Sequence, residues 1–154
     1  MSMPVDDGRC FACGPDNPIG LHLHFEREGD GVAAYTTLRE DYQGWRGIAH
    51  GGIAMALLDE AMAHASGLAG ERGVTASMNV RFRKALPLDA PLAVRGRVEW
   101  KRRKVLGLHA EIVDDSGNML CEAEGHFVSM GPIEAVQDRR NPNTSISPAP
   151  SGSL

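Results

Sequence analysis

Gly47-Ile48-Ala49-His50-Gly51-Gly52-Ile53-Ala54-Met55-Ala56-Leu57-Leu58-Asp59-Glu60 is the stretch that decides the fold. Two glycines open an apolar run, and an acid follows about two turns inside it. Residues 51–66 read as a helix, with Ile53, Ala54, Leu57, Ala61 and Ala65 on one side and Met55, Leu58 and Met62 on the other. A helix apolar nearly all round is a buried helix. The first N–H groups of a helix have no partner inside it, so bare glycines at its start offer donors to an anion. A carboxylate in an apolar setting is costly unless it is paired or used. Together they form a plausible kit for attack on a carbonyl.

On either side of the helix the chain reads as β. Leu21 to Glu26 alternates strictly, Gly29-Asp30-Gly31 turns, and Val32 to Leu38 returns. Asp41 to Ala49 is a loop carrying Tyr42, Trp45 and Arg46, and Gly67 to Gly70 ends the helix. Val74 to Arg83, Leu92 to Lys101, Val105 to Val113 and Met119 to Met130 are expected strands in meander order. Asp114-Asp115-Ser116-Gly117-Asn118 is a hairpin turn. One helix buried on both sides needs a sheet that curls around it. With a single sheet in the chain, a second copy is expected to close the structure.

At 154 residues the chain fits one domain with a real core, and 42% hydrophobic residues fit a soluble globule. No apolar run reaches membrane-spanning length. The N-terminus lacks a basic segment and an apolar segment, so a cytoplasmic address is expected. A net charge of −4 without aromatic interleaving argues against nucleic acid. Three cysteines argue against a disulfide framework, and Cys121 reads as a packed thiol. Residues 1–9 are expected to be flexible and 10–130 folded. Residues 131–154, rich in Pro, Ser and Asn, are expected to be a disordered tail.

His50-Gly51-Gly52 with Asp59 nine residues after the histidine resembles the hotdog-fold acyl-CoA thioesterases of the phenylacetate-degradation type. Val74 to Phe82, Pro87-Leu88-Asp89-Ala90-Pro91-Leu92, and Cys10-x-x-Cys13-Gly14-Pro15-Asp16-Asn17-Pro18-x-Gly20-Leu21 carry the likeness over residues 10–130. The resemblance implies an α+β hotdog fold, a curved antiparallel sheet around one central helix. It implies hydrolysis of acyl-CoA thioesters at sites between subunits of a homodimer or homotetramer, with coenzyme A as part of the substrate and no separate cofactor. A non-catalytic acyl-CoA binding module on the same fold is the alternative, and a CoA-ester hydratase a more distant one.

Each candidate residue has a functional and a structural reading. Asp59 activates water or attacks the thioester carbonyl, or it is a paired helix carboxylate. Glu60 points roughly 100° away; it is expected to contact His64 one turn on, and is otherwise a reserve acid. The N–H groups of Gly51 and Gly52 would form an oxyanion hole, or the glycines merely let a neighbouring strand approach. His50 orients substrate or caps the helix. Relatives often carry an asparagine six residues before the histidine; here that position is Gly44, and Gln43 beside it could supply the amide. Thr75 stands where relatives have a hydroxyl near the thioester, or is a plain strand residue. Arg81, Arg83 and Lys84, and Lys101 to Lys104 with Arg103 and Lys104 foremost, are candidate phosphate contacts or solvated strand ends. Cys10 and Cys13 with His22 and His24 match zinc-site spacing poorly, so a packed N-terminal turn without metal is expected.

Overall fold

The structure, a computed structural model, describes residues 4–133. The elements are β1 (Glu26–Glu28), β2 (Gly31–Thr37), a 3-10 turn (Glu40–Tyr42), α1 (Gly51–Leu68), β3 (Glu71–Phe82), β4 (Pro91–Arg102), β5 (Val105–Asp114) and β6 (Met119–Pro132). All six strands join one antiparallel sheet in the order β1-β2-β4-β5-β6-β3, and β2 to β6 all contact α1. This is the α+β hotdog arrangement the resemblance implies. No helix among the described residues is long and apolar enough to cross a membrane. The expectation for the tail lies largely outside the described residues. Its first three residues are ordered by neighbours: Gly131 and Pro132 end β6, and the Ile133 N–H bonds the Gly70 carbonyl.

The strand order corrects the expected meander. Of the four strands after the helix, only β4, β5 and β6 follow one another; β3 pairs with β6 at the far edge. The cause is the segment 83–90, which is too long for a hairpin. It crosses the start of α1, where Ala49 N–H bonds the Leu86 carbonyl at 2.9 Å and Ile48 bridges Pro87. A second correction concerns residues 21–25. They alternate as expected, with Leu23 and Phe25 buried and His24 exposed. Their partner is the N-terminal loop rather than a strand, through Leu21 N–H to Phe11 O and Leu23 N–H to Ala12 O, both 2.9 Å.

Ala54, Leu57, Leu58, Ala61, Met62 and Ala65 of α1 are buried together against the sheet with Val94, Leu106, Leu108, Ile112 and Phe127. Two glycines let the helix sit this close. A Cβ on Gly96 would lie 2.4 Å from the Ala61 carbonyl oxygen, and one on Gly125 2.7 Å from the Met62 sulfur. Burial on both sides of the helix does not hold within one chain. Leu58 and Met62 belong to the sheet side, while Met55 is 40% exposed and Asp59 half-buried. That open flank borders β3, an edge strand whose Val74, Thr75 and Phe82 are exposed.

Candidate active site

The helix start is held by its own histidine. His50 is the N-cap of α1, and its Nδ1 accepts the Gly52 N–H at 2.9 Å. Its backbone N–H bonds the Tyr42 carbonyl at 2.8 Å. The sequence left His50 between a substrate contact and a cap; the ring caps. This separates the two glycines. The Gly52 N–H is occupied, whereas the Gly51 N–H has no hydrogen-bond partner among the described residues. Gly51 is exposed and lies against the Phe82 ring.

Gln43 and Gly44 are shaped by the same loop. The Gln43 Oε1 accepts the Gly47 N–H at 2.9 Å, which closes the turn beneath Trp45. Gly44 packs against the His50 backbone: a Cβ there would stand 3.0 Å from the His50 Cα. A side chain at this position would need the His50 backbone to give by a few tenths of an ångström, so the loop is drawn tightly here.

Asp59 lies two turns further along the open flank. Thr75 Oγ1 donates to Asp59 Oδ1 at 2.6 Å, joining the helix to β3 across the exposed edge. Burial pushes the Asp59 carboxyl above the ordinary aspartate range; the Thr75 hydroxyl partly offsets this, and the Glu60 charge adds to it. Such a carboxylate is a better proton acceptor than one in open water.

Glu60 turns the other way. Its Oε1 is 3.2 Å from His64 Nε2, the one-turn contact expected from the spacing. It also faces the N-terminal loop: Cys10 Sγ is 3.8 and 3.9 Å from its two oxygens. Burial pushes the Glu60 carboxyl up, but the His64 imidazole and the two thiols outweigh it and leave it below the usual range. Burial, then the Glu60 charge, drive the Cys13 thiol far upward. The histidines weighed beside the cysteines are elsewhere. His22 Nε2 meets the Asn17 carbonyl at 2.6 Å, and His24 faces Glu26. Sequence spacing could not reveal Glu60 as the partner, because it is fifty residues away in the chain.

The basic candidates fall at opposite ends of the sheet. Arg83 and Lys84 line an open cleft of about 370 Å³ that also includes Trp45, Phe82 and Gly51. Arg83 is paired with Glu122 at 2.6 Å, and Arg81 is exposed on β3. Arg103 and Lys104 form the β4–β5 turn, with Arg103 at φ 55°, and Lys101 pairs with Glu71. That turn neighbours Val74 through Val105 and Val128. Val74 and Phe82 are eight residues apart on β3, roughly 26 Å. One chain therefore does not gather all five cations around one ligand.

Residues 46–121 match the family model described as Thioesterase superfamily. A crystal structure of a thioesterase superfamily protein aligns over 84% of this chain and 68% of its own, with TM-score 0.77 and 26% identity. A hypothetical thioesterase from Streptococcus pneumoniae, solved with coenzyme A, aligns over 73% of this chain and 88% of its own, with TM-score 0.68 and 25% identity. Two further structures of that protein carry alanine in place of an aspartate and of a threonine sixteen positions after it. The PaaI protein from the phenylacetic acid degradation operon of E. coli shares the fold at TM-score 0.66 and 18% identity, over 70% of this chain and 83% of its own. No curated protein matches the chain significantly.

Proposed function

Because the chain belongs to the hotdog-fold thioesterase superfamily, we propose that it hydrolyses acyl-coenzyme A thioesters to free acid and coenzyme A. Asp59 is the base or nucleophile, and the Gly51 N–H the oxyanion donor. The observation that carries this reading is the half-buried Asp59 carboxylate, bonded by Thr75 on an open flank and held above its ordinary pKa. The aspartate and threonine replaced in the S. pneumoniae thioesterase have the same sixteen-residue separation as Asp59 and Thr75. The coenzyme A bound to that protein favours the same ligand class here.

The spacing of these groups supports a site shared by two subunits. A reacting carbonyl must lie about 3 Å from both the nucleophile and the oxyanion donor. Gly51 and Asp59 are eight residues apart on one helix, roughly 12 Å along its axis. A single chain cannot bring both to one carbonyl. A homodimer can, if the exposed edge of β3 and the open flank of α1 meet their copies around a two-fold axis. Each of two sites then takes Asp59 and Thr75 from one subunit. It takes Gly51, with the Phe82, Arg83 and Lys84 cleft for the coenzyme A portion, from the other. Gln43 keeps a loop-closing role in this arrangement, His50 a capping one, and the Gly52 N–H is held by His50.

A panel of acyl-CoA substrates with thiol detection tests the reaction. Mixing tests the composite site. Asp59→Asn and Gly51→Pro are each expected to be inactive alone. Unfolded and refolded together, they regain activity, because the mixed dimer contains one site with both groups intact. No recovery despite verified mixed dimers would overturn the two-subunit site. One observation favours non-catalytic acyl-CoA binding: Gly44 carries no amide to position a water, and the Gln43 amide oxygen beside it is held by the Gly47 N–H. Tight acyl-CoA binding with no thiol released across the panel would establish that reading instead.

A further inference from the structure

Away from the Asp59 flank, three side chains converge that the thioesterase reading does not use. Cys10 and Cys13 come from the N-terminal loop and Glu60 from α1. One ligand atom from each lies within 4.8 Å of the others. Cys10 Sγ is 3.8 and 3.9 Å from the Glu60 oxygens. Tetrahedral zinc, with Zn–S of about 2.3 Å and Zn–O of about 2.0–2.2 Å, holds its ligand atoms about 3.5–3.8 Å apart. We propose that Cys10, Cys13 and Glu60 bind one zinc ion that fastens the N-terminal loop to the central helix.

The loop is built to hold both thiols in place. Gly14 N–H bonds the Cys10 carbonyl at 2.8 Å, closing the turn around the pair. A Cβ on Gly14 would stand 2.4 Å from Cys10 N and 2.6 Å from the Gly8 carbonyl oxygen, so the turn accepts only glycine. Leu21 and Leu23 pin its middle through the Phe11 and Ala12 carbonyls. On the helix side, His64 holds the carboxylate at 3.2 Å. The His64 ring is itself stacked on Phe25, with centroids 4.7 Å apart. That is the outer-shell support a metal-bound carboxylate needs. Two sulfurs and one oxygen select zinc over magnesium or calcium, whose ligands are oxygen alone. His22 and His24 are engaged elsewhere, so water takes the fourth position. Binding converts both thiols to thiolates and releases two protons to solvent. The ion is structural, and its position beside Glu60 steadies the helix next to Asp59.

The test uses the full chain, reduced and purified without added chelator. Elemental analysis is expected to find one zinc per chain. After chelator treatment, titration with Zn²⁺ alone should restore one equivalent, and Co²⁺ should give a thiolate-to-metal absorption band. Cys10→Ser/Cys13→Ser should abolish both signals, while Cys121→Ala keeps them. Glu60→Gln, checked for folding by circular dichroism, should weaken zinc affinity by more than the roughly 10- to 100-fold that losing an outer-shell partner costs. The proposal is overturned if the reduced wild-type chain takes up no zinc. It is also overturned if Cys10→Ser/Cys13→Ser binds zinc as the wild type does, or if Glu60→Gln leaves the affinity unchanged.

Discussion

Asp59 and Glu60 are neighbours in the chain and opposites in the fold. Asp59 looks onto the open flank, where one threonine hydroxyl holds it among the described residues and burial raises its pKa. Glu60 looks toward the N-terminal loop, where an imidazole and two thiols surround it and bring its pKa down. One step of roughly 100° around a helix is enough to separate an open carboxylate from an anchored one. A carboxylate that keeps few partners stays available to a substrate. One that is fully partnered is a structural fixture.

The sharpest way to break the comparison is to remove the charge on the open side. Asp59→Asn is expected to lower kcat for acyl-CoA hydrolysis by about 10²–10⁴-fold with the fold retained. Thiol release together with circular dichroism measures both, and full activity in this variant ends the catalytic assignment. Next comes the donor. Gly51 is the first helical residue, a position that tolerates proline, and His50 at ψ 137° suits a residue preceding one. Gly51→Pro therefore deletes one N–H with little harm to the helix. A loss of about 10²–10³ in kcat at unchanged helix content is the expected result.

Thr75→Ala sharpens the comparison by removing the hydroxyl that donates to Asp59. Loss of a hydrogen bond to a charged group is worth about 1.5–3 kcal/mol, so kcat should fall roughly ten- to a hundredfold, as steady-state kinetics on the same substrates will read. The smallest effect concerns a third carboxylate, Glu71 at the start of β3. Lys101, and after it Ser129, hold its carboxyl below the ordinary value of 4.5. A lowered folded pKa contributes stability above the unfolded pKa and loses it as pH falls through the folded one. Glu71→Gln should lower the melting temperature slightly at neutral pH. The difference from wild type should shrink once the pH drops below about 4.5. A gap that widens in acid would contradict the pairing.

Much of the site was legible because it is local. The contact of Glu60 with His64 follows from helical spacing. So does the divergence of Glu60 from Asp59. The alternation of Leu23 and Phe25 with exposed His24 also survived, although its partner turned out to be a loop. The fate of the glycine donors was not legible. His50 captures one of the two N–H groups, and only the ring's position reveals which.

The sequence by itself determined most of the elements: one apolar helix opened by glycines, the strands from Val32 onward, and a hairpin turn at Asp114–Asn118. These rest on contacts between residues a few positions apart, where periodicity and turn chemistry act directly. Tertiary structure alone decided that β3 lies beside β6 and that the two basic clusters stand at opposite ends of the sheet. It alone brought Glu60, rather than the nearby histidines, to the two cysteines. Those outcomes depend on how a long connection crosses the helix start and on which surfaces pack once the sheet closes on the core. No pattern of neighbouring residues encodes a contact made across fifty positions of chain.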